Sequence, residues 1–497
     1  MQITHVDVEK VLLLAKNILY LFKHNFNMFA FVVIMYDLSI EPSYNSLKTY
    51  IGNKWPYMNV IYDMKSKNPF VKNKPCSLFS SYSYLYNHSN TSVQEYAIKS
   101  ALLHSTGNHG PRMLIGNLSI IVQLESAIAS FFNKEACIVS SIGYMACCSA
   151  IQVLCDKKTI IFADSHCHAS LVSGFKLSQA KIVYFKHNCA NSLELLLNWY
   201  TFRKCKKVIV TESLFSMDGT LCDLPAIKKL SLKHNATLVV DEAHGLGTLG
   251  KYGKGIEDHY NMPNTVDIFV GTFSKSLSNL GGYICGSKDF IKKCEYYGHG
   301  NVFTAAISAY HAAGAYRALE EVNEENVAKL SSNTRYFRQK LIHHGFDIKG
   351  HDCSPVIPIV FKYDIFKLID ICHSMHNEGF VISPILPPAC SIFEPRFRLT
   401  ATTAQTHEQI DDFVNTLKLH TTRYQSKLNL ETLKLLRIYR KVKIITYSQW
   451  NFILTIWTTI LCIYPCFKTF FMKNMITMFN KYNLFIQHII FKTNRTV

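Results

Sequence analysis

Between residues 76 and 420 the chain alternates short β-branched runs with helix-patterned stretches, and this alternation constrains its fold more than any other feature. "ACIVSS", "TIIFAD", "KIVYFKH", "KVIVTES", "ATLVVDEAH" and "DIFVGTFSKS" are the apolar runs; "SLELLLNWY" and "LPAIKKLSLKH" lie between them. Strands separated by helices predict an α/β domain on a mainly parallel sheet. Ligands of such sheets collect beyond the C-terminal strand ends. Glu212, Asp241, His244 and Lys275 are all expected there.

At 497 residues the chain has room for two or three domains. Residues 1–75 read as an N-terminal arm. Its stretch 11–36 is apolar but broken by Lys16, Lys23, His24, Asn25 and Asn27, and the clean run "MFAFVVIMY" is too short to span a bilayer. A membrane-associated helix, a poorly cleaved signal and a core helix all stay open for it. Residues 37–75, with Pro42, Pro56, Pro69 and Pro75, read as a polar connector. A large domain is expected over 76–320. A smaller α+β domain is expected over 321–424, from "FDIKG", "SPVIPIVFK" and "FRLTATTA". The tail, 425–497, carries an uncharged run at 450–467, "WNFILTIWTTILCIYPCF", at the lower edge of transmembrane length. Lys434, Arg437, Arg440, Lys441 and Lys443 precede it; Lys468, Lys473 and Lys481 follow. If the run spans, that bias keeps the main domain cytosolic; a hairpin or interfacial helix is the alternative.

The formal net charge of +18 is spread along the chain rather than gathered in a block. Spread charge argues against a nucleic-acid partner and fits an anionic membrane surface better. The sixteen cysteines show no paired CxxC spacing, and "HCH" at 166–168 is their densest grouping with histidine. No metal site is expected, and with no cleavable signal evident the thiols are expected reduced.

In "VGTFSKSLSNLGGYICG" one lysine, Lys275, stands at the tip of a buried strand among Thr272, Ser274 and Ser276. Chemistry or anion binding is one reading; a lysine snorkelling from a strand end is the other. "TLVVDEAHGLG" sets Asp241 and His244 just past a strand, where a carboxylate alone is often a helix cap. "TESLFSMDGT" brings Glu212 and Ser216 to the same rim. "SSIGYMACCSA" is a glycine-containing strand-to-helix turn whose free amides could hold a phosphate. Each piece is weak alone. Their order along the chain is not.

With "GPRMLIGNLSIIVQLE", "HASLVSGFKLSQAKIVYFKHN", "LFSMDGT", "VDEAHGLGTLGKYGKGIEDHY" and "VDIFVGTFSKSLSNLGGYICG", the region 76–420 resembles the α-oxoamine synthases. These are pyridoxal 5'-phosphate enzymes of the type I (aspartate aminotransferase-like) fold. The resemblance is strongest to their serine palmitoyltransferase branch, in particular its catalytic long-chain-base subunit. It implies that Lys275 binds the cofactor covalently and that Asp241 pairs with the pyridine nitrogen. His244 and Ser216 would bond the ring oxygen, and His168 would stack on the ring, although spacing alone makes it a satisfied loop histidine. Thr272 with the Gly143–Tyr144 turn would hold the phosphate, and Thr304 would reach the phosphate of a partner subunit. Arg398 would bind the substrate carboxylate. Arg396, two residues away on the same strand face, makes one of the two arginines an expected surface charge.

The implied substrates are L-serine and a long-chain acyl-CoA. The implied assembly is a homodimer, or a heterodimer with a second long-chain-base subunit, on the endoplasmic reticulum membrane with the catalytic domain cytosolic. Two alternatives stand beside this. One is another α-oxoamine synthase: aminolevulinate synthase, glycine acetyltransferase or 8-amino-7-oxononanoate synthase. The other is a non-catalytic partner subunit, which characteristically lacks the lysine. The chain departs from the family pattern at Ser83 and Tyr86, where Asn and Gly are expected, at Ile121, and at Gln405, the last two in place of histidines. Those positions are expected to shape the substrate side of the pocket.

Overall fold

Each of the six β-branched runs forms a strand in the computed structural model, which describes residues 52–424 apart from positions 55, 65–68, 72–73, 362–363, 387–388 and 392–393. They are β1 (Ala136–Ser140), β2 (Ile160–Asp164), β3 (Lys181–Phe185), β4 (Lys207–Glu212), β5 (Thr237–Asp241) and β6 (Ile268–Thr272). The apolar piece after Lys275 forms a seventh, β7 (Gly282–Gly286). The strands lie in the order β1-β7-β6-β5-β4-β2-β3. Only β7 runs against its neighbours, so the sheet is parallel but for one inserted strand. The stretches 11–36 and 450–467 lie outside the described residues. Among the described residues no helix is long and apolar enough to cross a membrane.

Helices α1 (Thr91–His104), α2 (Ser119–Phe131), α3 (Gly143–Leu154), α4 (Ala169–Ser178), α5 (Ala190–Trp199), α6 (Leu224–His234), α7 (Lys288–Tyr297) and α8 (Ala309–Glu320) accompany this sheet. The central strands are apolar without alternation because both faces are covered. On one face Ile151 of α3 and Phe175 of α4 pack against Ile161, Val210, Val239 and Val270. On the other, Phe132 stacks with Tyr283 and tilts onto Phe269. Each such side chain contributes about 1.5–3 kcal/mol by leaving water. Local chemistry sets the helix ends. In α6, Asp223 accepts the Ala226 amide, Pro225 occupies the first turn, and Asn235 closes the helix in the left-handed region.

A second, antiparallel sheet is formed by β8 (Val356–Val360), β9 (Pro384–Ile385) and β10 (Arg396–Thr400) in the order β8-β10-β9. Pro358 is tolerated because β8 is an edge strand. Helices α9 (Glu324–His343), α10 (Ile365–Asn377) and α11 (His407–Arg423) follow the same part of the chain. "FDIKG" forms no strand. It makes one bridge, Ile348 to Ile359, and turns away at Gly350 with φ 87°.

The N-terminal connector does more than connect. Ile61–Tyr62, Phe70–Val71 and Lys74–Pro75 form a small antiparallel sheet. Lys54 pairs with Asp370 at 2.7 Å, and the Tyr57 hydroxyl donates to the Pro384 carbonyl. Residues 77–84, expected in the large domain, run along the second sheet instead. Ser77–Leu78 pairs with Phe380–Val381, the Thr400 amide donates to the Phe79 carbonyl, and the Phe79 ring stacks on Phe413 at 4.0 Å.

Candidate active site

Because β4, β5 and β6 run parallel, Glu212, Asp241 and Thr272 end on one rim. A cavity of about 230 Å³ opens there, lined also by Ser216, His244 and Lys275. His168, from the loop after β2, and Gly143, from the start of α3, close two further sides. Residues dispersed over more than 130 positions of sequence are thus gathered by strand direction alone.

One wall is a set of hydrogen-bond donors. α3 begins directly after Ile142, with no side chain capping its first amides. Uncapped N–H groups at a helix start suit an anion. A Cβ at Gly143 would stand 2.5 Å from Thr272 Cβ, so only glycine lets the helix begin this close to β6. Thr272 Oγ1 donates to the Gly281 carbonyl and lies 2.9 Å from Ser274 Oγ. Tyr144 lines the same side, its hydroxyl 2.6 Å from Ser173 Oγ. Amides and hydroxyls here form a fitting cradle for a phosphate.

The opposite wall carries the titratable groups. Asp241 is 4% exposed; its Oδ1 accepts the Ala243 amide at 2.8 Å and its Oδ2 the Cys147 thiol at 3.5 Å. Burial lowers the Lys275 pKa, although Asp241 and Glu212 pull the other way, and the fraction of free amine rises. Burial also holds His244 well below the usual imidazole range, helped by the charges of Lys275 and Arg398. Its Nδ1 lies 2.7 Å from the Tyr84 hydroxyl. His168 caps α4 and keeps an exposed face toward the cavity. Partial burial, then Lys275 and Arg398, lower its pKa against the pull of Asp241. Glu212 accepts the His168 amide, and burial pushes its carboxyl well above the ordinary range. A carboxyl biased toward its neutral form, two imidazoles biased toward theirs, the Asp241 side chain and a lysine with an easily freed amine therefore face one space.

Two expected site residues lie off the cavity wall. Thr304 bonds the Gly300 carbonyl within its own turn. Arg398 sits half-buried on β10 with Nη1 4.0 Å from Met217 Sδ, near enough for its charge to act on His168, His244 and Lys275. Neither arginine of the pair is an ordinary surface charge. Arg396 is 5% exposed and bound to Asp218, because the shared strand face points both side chains at the Met217–Asp218 loop.

The family departures are also placed differently from expectation, since none of the four lines the cavity. Ile121 is core. Ser83 bonds His88 and Ser278, and Gln405 ties the Thr402 amide to the Leu78 and Thr400 carbonyls. Tyr86 holds a left-handed backbone at φ 60°, which explains why glycine suits the position. The sequence pattern alone does not single out Tyr84 or Cys147. Cys147 stands one helical turn after Gly143, a spacing that could have revealed it; Tyr84 lies 160 positions from His244 and carries no local signal.

"HCH" divides three ways: His166 to Asp218, the Cys167 thiol to the Val210 carbonyl, and His168 to the cavity. His166, His187 and Asp218 bring ligand-type atoms within 4.8 Å of one another. Two features work against a cation there. The imidazoles stack in parallel at 4.0 Å, so their lone pairs do not converge, and the Arg396 guanidinium already neutralises Asp218 at 2.7 Å.

Residues 74–417 match the family described as aminotransferase class I and II. A serine palmitoyltransferase of Bacteroides thetaiotaomicron is 33% identical over 369 residues, covering 73% of this chain and 92% of that one. An 8-amino-7-oxononanoate synthase of Thermoanaerobacter pseudethanolicus is 31% identical over 356 residues, covering 71% and 90%. The 4-hydroxy-2,2'-bipyrrole-5-methanol synthase PigH of a Serratia species is 34% identical over 337 residues, 67% of this chain, but the chain spans only 51% of its length. The solved serine palmitoyltransferase of Sphingomonas wittichii superposes with a TM-score of 0.73 at 25% identity, covering 77% of this chain and 97% of that one.

Proposed function

The chain belongs to the aminotransferase class I and II family, in its α-oxoamine synthase branch, and on that premise we propose that it condenses L-serine with palmitoyl-CoA, releasing CO2 to give 3-ketosphinganine, the first step of sphingolipid biosynthesis. Its cofactor is pyridoxal 5'-phosphate. The donor set fits that group: amides and hydroxyls at Gly143, Thr272 and Ser274, a carboxylate at Asp241 and an amine at Lys275, all on one cavity. That juxtaposition is the observation on which the reading rests.

When bound, pyridoxal phosphate supplies an aldehyde for the substrate amine and a ring that draws electrons from the α-carbon. The residues supply the rest. Lys275 Nζ, its amine freed by burial, would hold the cofactor and would accept the proton that leaves the α-carbon. Asp241 would hold the proton at the ring nitrogen. Neutral His244, oriented through Nδ1 by Tyr84, would bond the ring oxygen together with Ser216, which lines the same cavity. His168 would cover one ring face, and Arg398 would receive the serine carboxylate. Ile142 and Leu280, lining the cavity yet 38% and 48% exposed, give the entrance an apolar edge suited to an acyl chain.

The likeness to 8-amino-7-oxononanoate synthases favours a second reading, a shorter acyl donor with another amino acid. Lys275 speaks against a non-catalytic subunit. Purified protein with pyridoxal phosphate should be offered L-serine, L-alanine and glycine, each with palmitoyl-CoA and with short acyl-CoAs, and the ketone products weighed. Serine with palmitoyl-CoA should be preferred. Faster turnover of another pair replaces the reading, and no turnover of any pair defeats it. We further propose a homodimer, or a heterodimer with a second long-chain-base subunit, on the endoplasmic reticulum membrane with the catalytic domain cytosolic. The support is the apolar run 450–467 and its basic flank. Removing residues 445–497 should release a soluble protein that still binds the cofactor; full-length protein that stays in solution without detergent contradicts the membrane part.

A further inference from the structure

Outside the cavity one carboxylate ties two loops and a strand together. Asp218 lies two residues after Ser216, in the loop following β4. Its Oδ2 is 2.8 Å from His166 Nδ1, two residues before His168. Its Oδ1 accepts Arg396 Nη1 at 2.7 Å, two residues before Arg398 on β10. Each arm of this knot therefore ends two residues from a side chain proposed to touch cofactor or substrate. Met217 fills the middle: its carbonyl accepts from Arg396 at 3.1 Å, and its sulfur is 4.0 Å from Arg398 Nη1. His187 braces the outside, stacked on His166 and bonded to Asp164 and Thr220.

Arg396 and Arg398 share a strand face, so two guanidinium groups point toward one place. Left alone they would repel, and both would compete for a single substrate carboxylate. Asp218 removes that ambiguity at Nη1, the side shared with Met217 and Arg398, while Glu394 takes Nη2 at 3.3 Å and accepts Nε through its carbonyl. We propose that Asp218 is a positioning residue for amino-acid binding: by engaging Arg396 and fixing the Ser216–Asp218 loop against β10, it leaves Arg398 as the cation presented to the substrate carboxylate. This rests on the reading of Arg398 given above.

The knot has a pH dependence with a definite sign. His166 faces Asp218, Asp164, Arg396 and the stacked His187. The Asp218 hydrogen bond raises its pKa, while burial and Arg396 oppose. Burial pushes the Asp218 pKa upward, but His166 and Arg396 overcome it and hold the carboxyl down at about 2, so Asp218 stays ionised. The charged pair is complete below the raised His166 value and loosens as pH climbs through it.

The test uses the holoenzyme. The L-serine Kd is read from the change in the cofactor's visible spectrum, and KM and kcat are measured alongside. Asp218→Asn should raise the serine Kd and KM roughly tenfold, the effect of losing one charge-assisted hydrogen bond, with kcat within about threefold and cofactor affinity unchanged. Asp218→Glu should recover part of the loss. In the cofactor-free protein, hydrogen exchange at the Gly219 amide, bonded to the Phe215 carbonyl at 2.9 Å, should quicken in Asp218→Asn. In wild type the serine Kd should rise on the alkaline side, and His166→Gln should flatten that rise. Equal serine Kd in wild type and Asp218→Asn overturns the positioning role alone. Serine and cofactor affinity falling together also overturns it, as mere loss of scaffold. A wild type that binds no amino acid overturns both this and the reading beneath it. Should Asp218→Asn not fold, the exposed His166 decides: an unchanged alkaline rise in His166→Gln refutes the proposal.

Discussion

Replacing Glu242 by glutamine should stabilise the protein, and more so at higher pH. Glu242 is fully buried beside Asp241; its Oε1 accepts the Ile256 amide at 2.8 Å, and the Ser213 side chain is its other polar neighbour. Burial pushes its carboxyl up to about 8, from 4.5 in the open chain. The folded protein therefore holds this proton while the unfolded chain gives it up. For an acid raised on folding, the stability is whole below pH 4.5 and is lost as pH climbs toward 8, at about 1.4 kcal/mol per unit. At pH 7 the penalty comes to about 3 kcal/mol, and at pH 5 to under about 1 kcal/mol. Glutamine matches the neutral acid in shape and bears no such penalty. Urea unfolding midpoints of wild type and Glu242→Gln, both saturated with pyridoxal phosphate so that ligand linkage is equal, should diverge from pH 5 to pH 8. A gap that stays constant over that range would mean Glu242 is ionised in the native protein, and the argument from burial would fall.

Lys275→Arg should fold normally but lose the visible cofactor band and ketosphinganine formation by several orders of magnitude, since guanidinium offers no free nucleophilic nitrogen. Borohydride reduction of wild type should leave the pyridoxyl mass on Lys275; that mass on another lysine refutes the assignment. Asp241→Asn should keep the cofactor bound yet slow exchange of the serine α-proton by about a hundredfold or more, and near-normal exchange counts against its role. At Tyr86, in the left-handed region, glycine should be neutral within about 1 kcal/mol, because relieved strain is offset by greater freedom of the unfolded chain. Tyr86→Val should cost about 1–2 kcal/mol more, as a β-branched residue fits that backbone poorly; equal midpoints for the two variants would show that the backbone relaxes.

The strands of the large sheet were legible because burial on both faces demands unbroken apolar runs, as in "KVIVTES" and "ATLVVDEAH". The direction of β7 was not. "GYICG" reads the same in either sense, and its insertion between β1 and β6 depends on pairings far along the chain. Residues at strand ends, such as Asp241, or one helical turn along, such as Cys147, can be found by counting. The Tyr84–His244 contact and the Asp218 knot cannot, since each joins loops whose neighbourhood exists only after the sheet has formed. The period-two rule put Arg396 and Arg398 on one face but could not say that Asp218 would bury one of them. Residues 77–84 adjoin the large domain in sequence, yet their hydrogen bonds go to Phe380–Val381 and to β10.

The insertion of β7 also orders events during synthesis. Roughly 140 residues separate Ser140 from Gly282, which stand opposite each other in the finished sheet, so at about 5–20 residues per second the place beside β1 stays empty for roughly 7–30 s on the ribosome. Until β7 emerges, β1 and then β6 present bare backbone edges on which another nascent chain could pair. The phosphate cradle is equally unfinished, because Gly143 and Thr272 flank that same gap. Lys275 lies in the connection between β6 and β7. The hairpin that carries Lys275 is therefore the one that seals the sheet, and a growing chain escapes edge-to-edge aggregation and completes the Lys275 cavity in the same stretch of translation.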